Sequence, residues 1–369
     1  MYDVAIIGGG LAGLISAIGL AKGGMSIVLF EKRQYPFHRV CGEYISNEVV
    51  PFLEKNSLFP NDLNPARINR FQLTSTNGRS AEVPLKLGGF GISRYAFDEY
   101  LYKKANSVGV ECFTGVAVDH VEFENDQFNI KFGSNSCQAK WVISAHGKRS
   151  TLDKQMNRSF MSRRSPYVGV KYHIKTDFPE DVIALHNFKN GYCGISKVEG
   201  DTYNLCYLTH RNNIRSFGSV KEMENEIMHK NPYLKEIFQN SEFLFDKPMV
   251  INEINFERKN AVERHILMCG DSAGMIAPLC GNGMAMAIHS AKILSEVLLK
   301  FNTSNGVQRS KVEQAYKDSW NQHFATRLRI GRSIQKLFGS TMLSDIAVRL
   351  VSFDPIAHSL IKMTHGKPF

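Results

Sequence analysis

The distribution of apolar residues along the start of the chain predicts a strand, a helix and a second strand. Val4 to Ile7 is a continuous apolar run, as in a strand that is buried on both faces. Apolar residues then recur at helical spacing from Leu11 to Ala21, and Ser26 to Phe30 is a second apolar run, closed by Glu31. This order is typical of a parallel strand–helix–strand unit.

Short apolar segments predict a middle section rich in strands. Residues 33–47 are polar and predict a long loop. Strands are predicted near 68–76, 81–87, 110–113, 116–123, 127–132, 137–144, 167–175 and 202–208, with helices near 95–107 and 220–238. A last buried strand is predicted at 266–269, before helices near 282–300, 310–336 and 341–364. The first and last sections therefore predict one domain with the middle inserted into it.

A glycine-rich turn joins the first strand to the first helix. Gly8, Gly10 and Gly13 match Gly-x-Gly-x-x-Gly, which combines a tight turn, close approach of backbone to a pyrophosphate, and close packing of helix on strand. The helix N-terminus offers unpaired N–H groups and a partial positive charge to phosphates. Glu31 lies near the spacing, about 20 residues, at which an acidic residue binds ribose hydroxyls. Together these features predict a dinucleotide-binding unit, for NAD or FAD.

A second motif follows the strand at 266–269 and favours FAD. Gly270-Asp271 comes directly after that strand, and Pro278 to Gly283 predicts a turn into a helix. Asp271 could accept hydrogen bonds from a hydroxylated chain. A helix N-terminus aimed at a flavin would stabilise the negative charge that develops there on reduction.

These motifs, with Arg94-x-x-Phe97-Asp98 between them, resemble those of the p-hydroxybenzoate-hydroxylase-like FAD superfamily. Within it, Pro36 to Glu43 resembles the Cys-Gly region of the geranylgeranyl reductase family. The resemblance implies an α/β fold, in which a Rossmann-type FAD-binding domain carries an inserted antiparallel β-sheet substrate domain and C-terminal helices. We place the FAD-binding domain in residues 1–66, 88–160 and 262–300, the substrate domain in 67–87 and 161–261, and a C-terminal helical segment in 301–369.

The resemblance also implies which residues hold FAD. They are Gly8, Gly10, Leu11, Ala12 and Gly13 at the pyrophosphate, Glu31 at the ribose, Arg39 and Arg94 near the phosphate or ribityl region, Val118 at the adenine side, Asp271 at the ribityl chain, and Gly281, Asn282 and Gly283 at the isoalloxazine. No metal is implied. The electron donor stays open among NADPH, NADH and ferredoxin.

Two departures from the family patterns bear on the reaction. His146 stands where many hydroxylases of the superfamily have the Asp of an Asp-Gly motif, which argues against their mode of NADPH use. Gly191 to Ser196 lacks the Trp and Pro of the reductase segment, and it also lacks the Trp-x-Trp-x-Ile-Pro signature of flavin halogenases, which argues against halogenation. Tyr192 remains in this segment and is the candidate catalytic residue, although an aromatic residue in an alternating strand is also typical of a core.

Three functions fit these motifs. The leading hypothesis is an FAD-dependent oxidoreductase that reduces or oxidises an apolar unsaturated substrate, such as an isoprenoid, polyene or polyketide-derived chain. The first alternative is an FAD-dependent monooxygenase that hydroxylates a small aromatic substrate. The second is a flavin-binding protein without turnover.

Composition narrows the partners and the location. The net charge of +10 comes from dispersed basic residues, which argues against a nucleic-acid partner. The seven cysteines contain no Cys-x-x-Cys pair, so free thiols and a cytoplasmic location are expected. No apolar run is long enough to span a bilayer. Apolar and basic residues in 338–369 nevertheless fit either a helix face packed on the FAD-binding domain or a peripheral membrane contact.

Overall fold

The fold was analysed in a computed structural model, of which residues 1–277, 281–301, 308–335, 341–352 and 366–369 are described. Pro278 and Cys280 of the predicted flavin turn lie outside the described residues, as do residues 338–340 and 353–365 of the predicted C-terminal segment. The described part is a mixed α/β structure with two multi-stranded sheets and helices near the C-terminus.

The strands are β1 Tyr2–Ile7, β2 Ile27–Glu31, β3 Tyr44–Ser46, β4 Ala66–Thr74, β5 Ser80–Gly91, β6 Glu111–Thr114, β7 His120–Glu124, β8 Gln127–Phe132, β9 Asn135–Ser144, β10 Tyr167–Lys175, β11 Val182–Phe188, β12 Gly191–Lys197, β13 Tyr203–His210, β14 Glu242–Phe243, β15 Met249–Ile251, β16 Val262–Glu263 and β17 Ile266–Met268.

The α-helices are α1 Leu11–Lys22, α2 Val50–Lys55, α3 Arg94–Ser107, α4 Thr151–Gln155, α5 Arg211–Phe217, α6 Val220–Ile227, α7 Pro232–Asn240, α8 Gly283–Phe301, α9 Arg309–Gln335 and α10 Thr341–Val351. Short 3-10 turns lie at Asn47–Val49, Asn61–Leu63, Ser159–Ser162, Met228–Lys230 and Gly270–Ser272.

The smaller sheet is built around the first strand–helix–strand unit. Its order is β16-β17-β9-β1-β2-β6, with the β7–β8 hairpin joined to β9. β1 pairs in parallel with β2 and β9, and β6 and β17 extend the parallel part. Every residue of β2 is buried, as expected for a parallel strand covered on both faces. Because the strands are parallel, the loops after β1, β2, β9 and β17 meet at one edge of this sheet, where ligands bind in open α/β folds.

The larger sheet has the order β14-β10-β13-β12-β11-β4-β5-β3, and β15 pairs with β10. Its neighbouring strands are antiparallel, except for the parallel pair β4–β11. α6 and α7 pack on it through apolar residues such as Met223 and Leu234. α10 contacts β4 and β5, where Val348 packs with Leu73 and Val83. α10 therefore belongs to the larger sheet's side of the molecule.

Several segments differ from the sequence-based prediction; among them, the helix predicted at 220–238 is divided into α6, the 3-10 turn at Met228–Lys230 and α7. The predicted loop 33–47 contains β3, whose residues Tyr44 and Ser46 pair with β5; such a short strand is stabilised by its partner and carries no pattern of its own. The strand predicted at 116–123 begins only at His120. Val116 donates a backbone hydrogen bond to Glu31 O over 3.0 Å. The apolar residues before His120 line the cavity described below.

Candidate active site

A large cavity lies between the two sheets. Its volume is about 960 Å³, at the upper end of the range of about 300–1,000 Å³ that is typical of ligand pockets. One part is lined by the loops after β1, β2, β9 and β17, and the other part by residues of the larger sheet and α10. We call these the dinucleotide part and the sheet part.

The glycine-rich turn forms one wall of the dinucleotide part. Gly8, Gly10, Leu11 and Ala12 line it. The φ angle of Gly8 is +108°, and a Cβ there would overlap the Ala145 carbonyl. Gly13 does not line the cavity; a Cβ at this position would overlap Gly8 O, so this glycine permits the close packing of α1 on β1. Gly10 is the N-cap of α1 and provides no side-chain cap, which leaves N–H groups of the first turn available to an anion.

Glu31 ends β2 with its carboxylate buried. Its Oε2 accepts hydrogen bonds from Gly9 N over 2.9 Å and from Arg39 Nη2 over 3.0 Å. Arg39 also pairs with Asp98 through Nε over 3.0 Å. Arg39 therefore lies between two carboxylates, so the negative charges of Glu31 and Asp98 offset its attraction for a phosphate.

Arg94 begins α3 and faces the glycine-rich turn. It binds Asp98 through two hydrogen bonds of 2.7 Å each. Its Nη2 lies 3.2 Å from the place where a Cβ on Gly10 would stand. The guanidinium is thus fixed beside the backbone at which a pyrophosphate would approach. Val118, from the loop before β7, lines the same part of the cavity on the side of Glu31.

Asp271 lies in the 3-10 turn after β17 and lines the cavity. Burial raises the pKa of its carboxyl group, while Lys259, Arg94 and Lys148 act in the opposite direction. Gly281 and Gly283 also line the cavity, and Gly281 has a φ of +61°. Asn282 is fully buried and does not line the cavity; its side chain acts to lower the pKa of Glu48, against the effect of burial.

Sequence patterns did not single out Lys259, which joins two loops of the site. Its Nζ donates to Lys148 O over 2.8 Å and to Asp271 O over 2.9 Å. Burial lowers the pKa of Lys259 to about 8. Its segment carries no motif, because residues 252–261 contain neither a glycine turn nor a regular apolar period.

His146, the residue in place of the hydroxylase Asp, is part of a buried hydrogen-bonded chain. Its Nδ1 lies 2.6 Å from Ser144 Oγ, and its Nε2 lies 2.9 Å from Asp153 Oδ2. Asp153 in turn accepts from Arg158 Nη1, which also donates to Ser272 O, each over 2.9 Å. The chain therefore fixes the loop after β9 against the turn that holds Asp271.

The sheet part of the cavity is mostly apolar. Its lining residues from the larger sheet include Phe71, Leu73, Leu85, Ile183, Leu185, Tyr192 and Leu208. Tyr192 is 4% exposed and packs in a cluster with Leu208 and Ile254, so it has both the position of a site residue and the packing of a core residue.

Three apolar residues line the cavity and are also exposed to solvent. They are Val250 (44% exposed), Ile346 (42%) and Leu350 (42%). We call them the apolar rim. Within the described residues, no helix is long and apolar enough to cross a membrane, and no cluster of side chains suited to a metal ion was found.

Comparison with known proteins finds relatives over most of the chain. A family model described as an FAD binding domain matches residues 1–318. The digeranylgeranylglycerophospholipid reductase of Methanosarcina acetivorans is 26% identical, over 87% of this chain and 81% of that protein. The tryptophan 2-halogenase of Chondromyces crocatus is 23% identical, over 87% of this chain and 65% of that protein.

Among solved structures, a geranylgeranyl bacteriochlorophyll reductase-like protein of Thermoplasma acidophilum has the same fold. The TM-score is 0.79 at 19% sequence identity, and the match covers 100% of this chain and 96% of the other. The predicted fold class and the predicted resemblance are thereby confirmed. The relatives include both reductases and halogenases, so they share a cofactor domain and differ in substrate.

Proposed function

Because this chain belongs to the FAD binding domain family and is an FAD-dependent oxidoreductase, we propose that it reduces or oxidises an apolar unsaturated substrate held in the sheet part of the cavity. An isoprenoid, a polyene or a polyketide-derived chain fits this description. The observation that carries the proposal is the apolar lining of the sheet part, which continues outwards into the apolar rim.

The dinucleotide part fits FAD. Gly8 and Gly10 line it, the N-terminus of α1 lies at the same turn without a side-chain cap, and Arg94 stands beside Gly10. We propose that Gly8, Gly10, Leu11, Ala12 and Arg94 hold the pyrophosphate side. Asp271, Gly281 and Gly283 hold the ribityl and flavin side in this proposal. Bound there, FAD supplies the redox chemistry, and the protein supplies position and electrostatics.

Glu31 and Val118 are placed at the adenine side of the same cavity in this proposal, with Arg39 bridging Glu31 and Asp98. Gly13 and Asn282 act indirectly. Gly13 allows the close contact of α1 with the turn, and Asn282 interacts with Glu48. This assignment divides the predicted cofactor residues into those that face the cavity and those that support them.

Apolar walls exclude water from the substrate. Covering them with an apolar chain favours binding by about 25 cal/mol per Å² of apolar surface removed from water. Polar recognition groups in the sheet part are few; Tyr192 and Ser196 are two that line the cavity. We assign Tyr192 to substrate orientation, because its ring packs with the apolar wall formed by Leu208 and Ile254.

A monooxygenase or halogenase acting on an aromatic substrate is the second candidate. The similarity to a tryptophan 2-halogenase favours it. The segment from Gly191 to Ser196, which forms most of β12 at the wall of the cavity, argues against it because it lacks the tryptophans of the halogenase signature. The two candidates differ in whether oxygen is consumed.

An anaerobic reoxidation experiment separates them. The purified protein is reduced without oxygen, using NADH, NADPH and reduced ferredoxin in parallel, and is then mixed with an isoprenoid or polyene substrate. We expect the flavin absorbance to return without oxygen as one double bond of the substrate is reduced for each flavin reoxidised. If reoxidation requires oxygen, and an aromatic compound then gains oxygen or a halogen, the second candidate is correct.

A further inference from the structure

A buried set of titratable side chains lies behind the Cys-Gly segment. Glu43 Oε1 accepts from Lys171 Nζ over 2.5 Å and from the backbone N of Arg94 over 2.7 Å. Glu43 Oε2 lies 2.7 Å from His173 Nε2. The Glu43 and Lys171 side chains are 0% exposed and the His173 side chain is 7% exposed. Both carboxylate oxygens are therefore occupied by protein groups.

Such a set is costly to bury, because each charge loses its hydration and the partners must replace it. The backbone of Glu43 adds to this cost, since its φ of 53° lies in the left-handed region that a residue with a Cβ rarely adopts. Burial acts to raise the pKa of Glu43, but Lys171 and His173 outweigh it and the net shift is downward. Glu43 is thus held as a carboxylate in a strained conformation.

The set connects β10 and β13 of the larger sheet to the loop that lines the dinucleotide part. Lys171 Nζ also donates to Arg39 O over 3.2 Å, and Asn204 Nδ2 donates to Cys41 O over 3.2 Å. Cys41, Gly42 and Glu43 all line the cavity. The position of this loop is therefore determined from behind by the larger sheet.

The same carboxylate also binds the first turn of α3, whose N-cap is Ser93. Glu43 Oε1 accepts from the first backbone N–H of α3, that of Arg94, and Glu43 O accepts from Ile92 N over 3.1 Å. The Arg94 side chain then reaches the glycine-rich turn. One buried side chain thus fixes both the Cys-Gly loop and the arginine beside Gly10.

We propose that Glu43 is a positioning residue for FAD, which acts by holding the segment 39–43 and the first turn of α3 in the geometry that the cofactor requires. Lys171 and His173 serve it by keeping its carboxylate in place. The proposal rests on FAD occupying this cavity, and it does not depend on which substrate is converted. Since the larger sheet supplies Lys171 and His173, the same contacts couple the substrate side of the molecule to the cofactor side.

The test uses three variants of the full-length protein and one matched control. Glu43→Gln removes the charge, Lys171→Met removes its partner, and the double variant E43Q/K171M leaves neither charge unpaired. The control is Glu224→Gln. Glu224 is also a buried carboxylate beside β10, where it accepts from Tyr172 over 2.9 Å and from Tyr207 over 2.7 Å, and it does not line the cavity.

FAD affinity, the flavin absorbance spectrum and the melting temperature of the FAD-free protein are measured for each variant. We expect E43Q to bind FAD about tenfold or more weakly, with an altered flavin spectrum, because the cofactor-facing residues lose their support. E43Q/K171M should recover melting temperature relative to the single variants without recovering FAD affinity. E224Q should lower the melting temperature and leave FAD affinity and spectrum unchanged.

The proposal is overturned if E43Q/K171M binds FAD with wild-type affinity and spectrum, or if E224Q loses FAD affinity as strongly as E43Q does. It is also overturned if no Glu43 variant folds while K171M binds FAD normally, because the carboxylate then serves the fold alone. A failure of wild-type protein to bind any FAD would instead contradict the assignment of the cavity.

Discussion

At the scale of single residues, the site is defined by charges that are paired with one another before any ligand is considered. Glu31, Arg39, Asp98 and Arg94 form a continuous chain of ion pairs beside the glycine-rich turn. The sequence predicted Glu31, Arg39 and Arg94 as separate ligand contacts; all three line the cavity, and their contact with FAD stays a prediction. It could not predict Asp98 as their shared partner, because the pairing depends on how α3 packs against the turn.

Glu31→Ala should weaken FAD binding by roughly ten- to a hundredfold, since hydrogen bonds to a charged group contribute about 1.5–3 kcal/mol. The variant removes the acceptor of Gly9 N and leaves Arg39 with one carboxylate. Titration of the FAD-free protein with FAD measures the change. Glu122→Ala, at an exposed position of β7, is the control and should bind FAD as the wild type does. Equal affinity of both variants and the wild type would contradict the role assigned to Glu31.

The pH dependence of FAD binding should follow two lysines near Asp271. Burial lowers the pKa values of Lys148 and Lys259 to about 8. FAD carries a negatively charged pyrophosphate, so its affinity should fall as pH rises through 8 and the lysines lose their charge. The stability of the FAD-free protein should respond with the opposite sign. A lysine whose pKa is lowered in the folded state destabilises the folded protein below pH 8. That destabilisation is relieved as the pH rises from 8 towards the ordinary pKa of lysine.

FAD titrations from pH 6.5 to 9.5 measure this dependence, since the range brackets the two shifted values. Lys259→Met has no charge to lose, so it should flatten the dependence of FAD affinity on pH. Lys259→Arg should also remove the fall assigned to this residue, because arginine stays charged. A wild-type affinity that is constant across the range would show that neither lysine interacts with the cofactor's charge.

At the scale of elements, the sequence predicted best where a single period runs through a segment. β1, α1, β2, α3 and β10 lie close to their predicted bounds because each has one buried face or is buried throughout. The prediction missed β3 and the loop before β7. In both places the backbone hydrogen bonds go to distant residues, Gly91 and Glu31 among them, and a local pattern does not record such partners.

α10 shows how an amphipathic pattern can serve two neighbours. Val348 and Val351 pack against β4 and β5, so this helix covers the larger sheet and the predicted packing on the FAD-binding domain is wrong. Ile346 and Leu350 point to the cavity and to solvent, and Arg349 between them is exposed. The face of α10 that does not pack on the larger sheet, with Ile346 and Leu350, is therefore the one that lines the cavity and is exposed to solvent. We propose that this face, with Val250, meets a membrane surface when the substrate enters.

Flotation with anionic liposomes at low salt tests this proposal. The full chain should float with the vesicles, and the double variant I346S/L350S should not, while its FAD content stays unchanged. Point substitutions are preferable to a C-terminal truncation, because Phe369 donates a backbone hydrogen bond to Glu48 O over 3.1 Å and its ring stacks on His289. Neutral vesicles and high salt are the controls. If the wild type ignores anionic vesicles at low salt, the rim is only an entrance and the membrane contact is dropped.

At the scale of the whole molecule, the cavity lies where two sheets built from different segments of the chain meet. The parallel sheet brings together loops that lie far apart in sequence, at Gly8 to Gly13 and at Asp271, and the larger sheet supplies the apolar wall. The dinucleotide part could be predicted because its motifs are short and each residue in them has a physical role. The sheet part could not, because its lining is a set of ordinary apolar residues whose arrangement depends on the register of nine strands.

The identity of the bound cofactor tests the assignment of this cavity most directly. The protein is expressed with ample flavin, purified, its absorbance recorded, and then denatured so that the released small molecules can be separated and quantified. We expect a yellow protein that releases unmodified FAD in nearly equal molar amount to the chain, because the contacts proposed for the glycine-rich turn, Arg94 and Asp271 are all non-covalent. Release of no flavin, or of NAD alone, would contradict the assignment of this cavity to FAD.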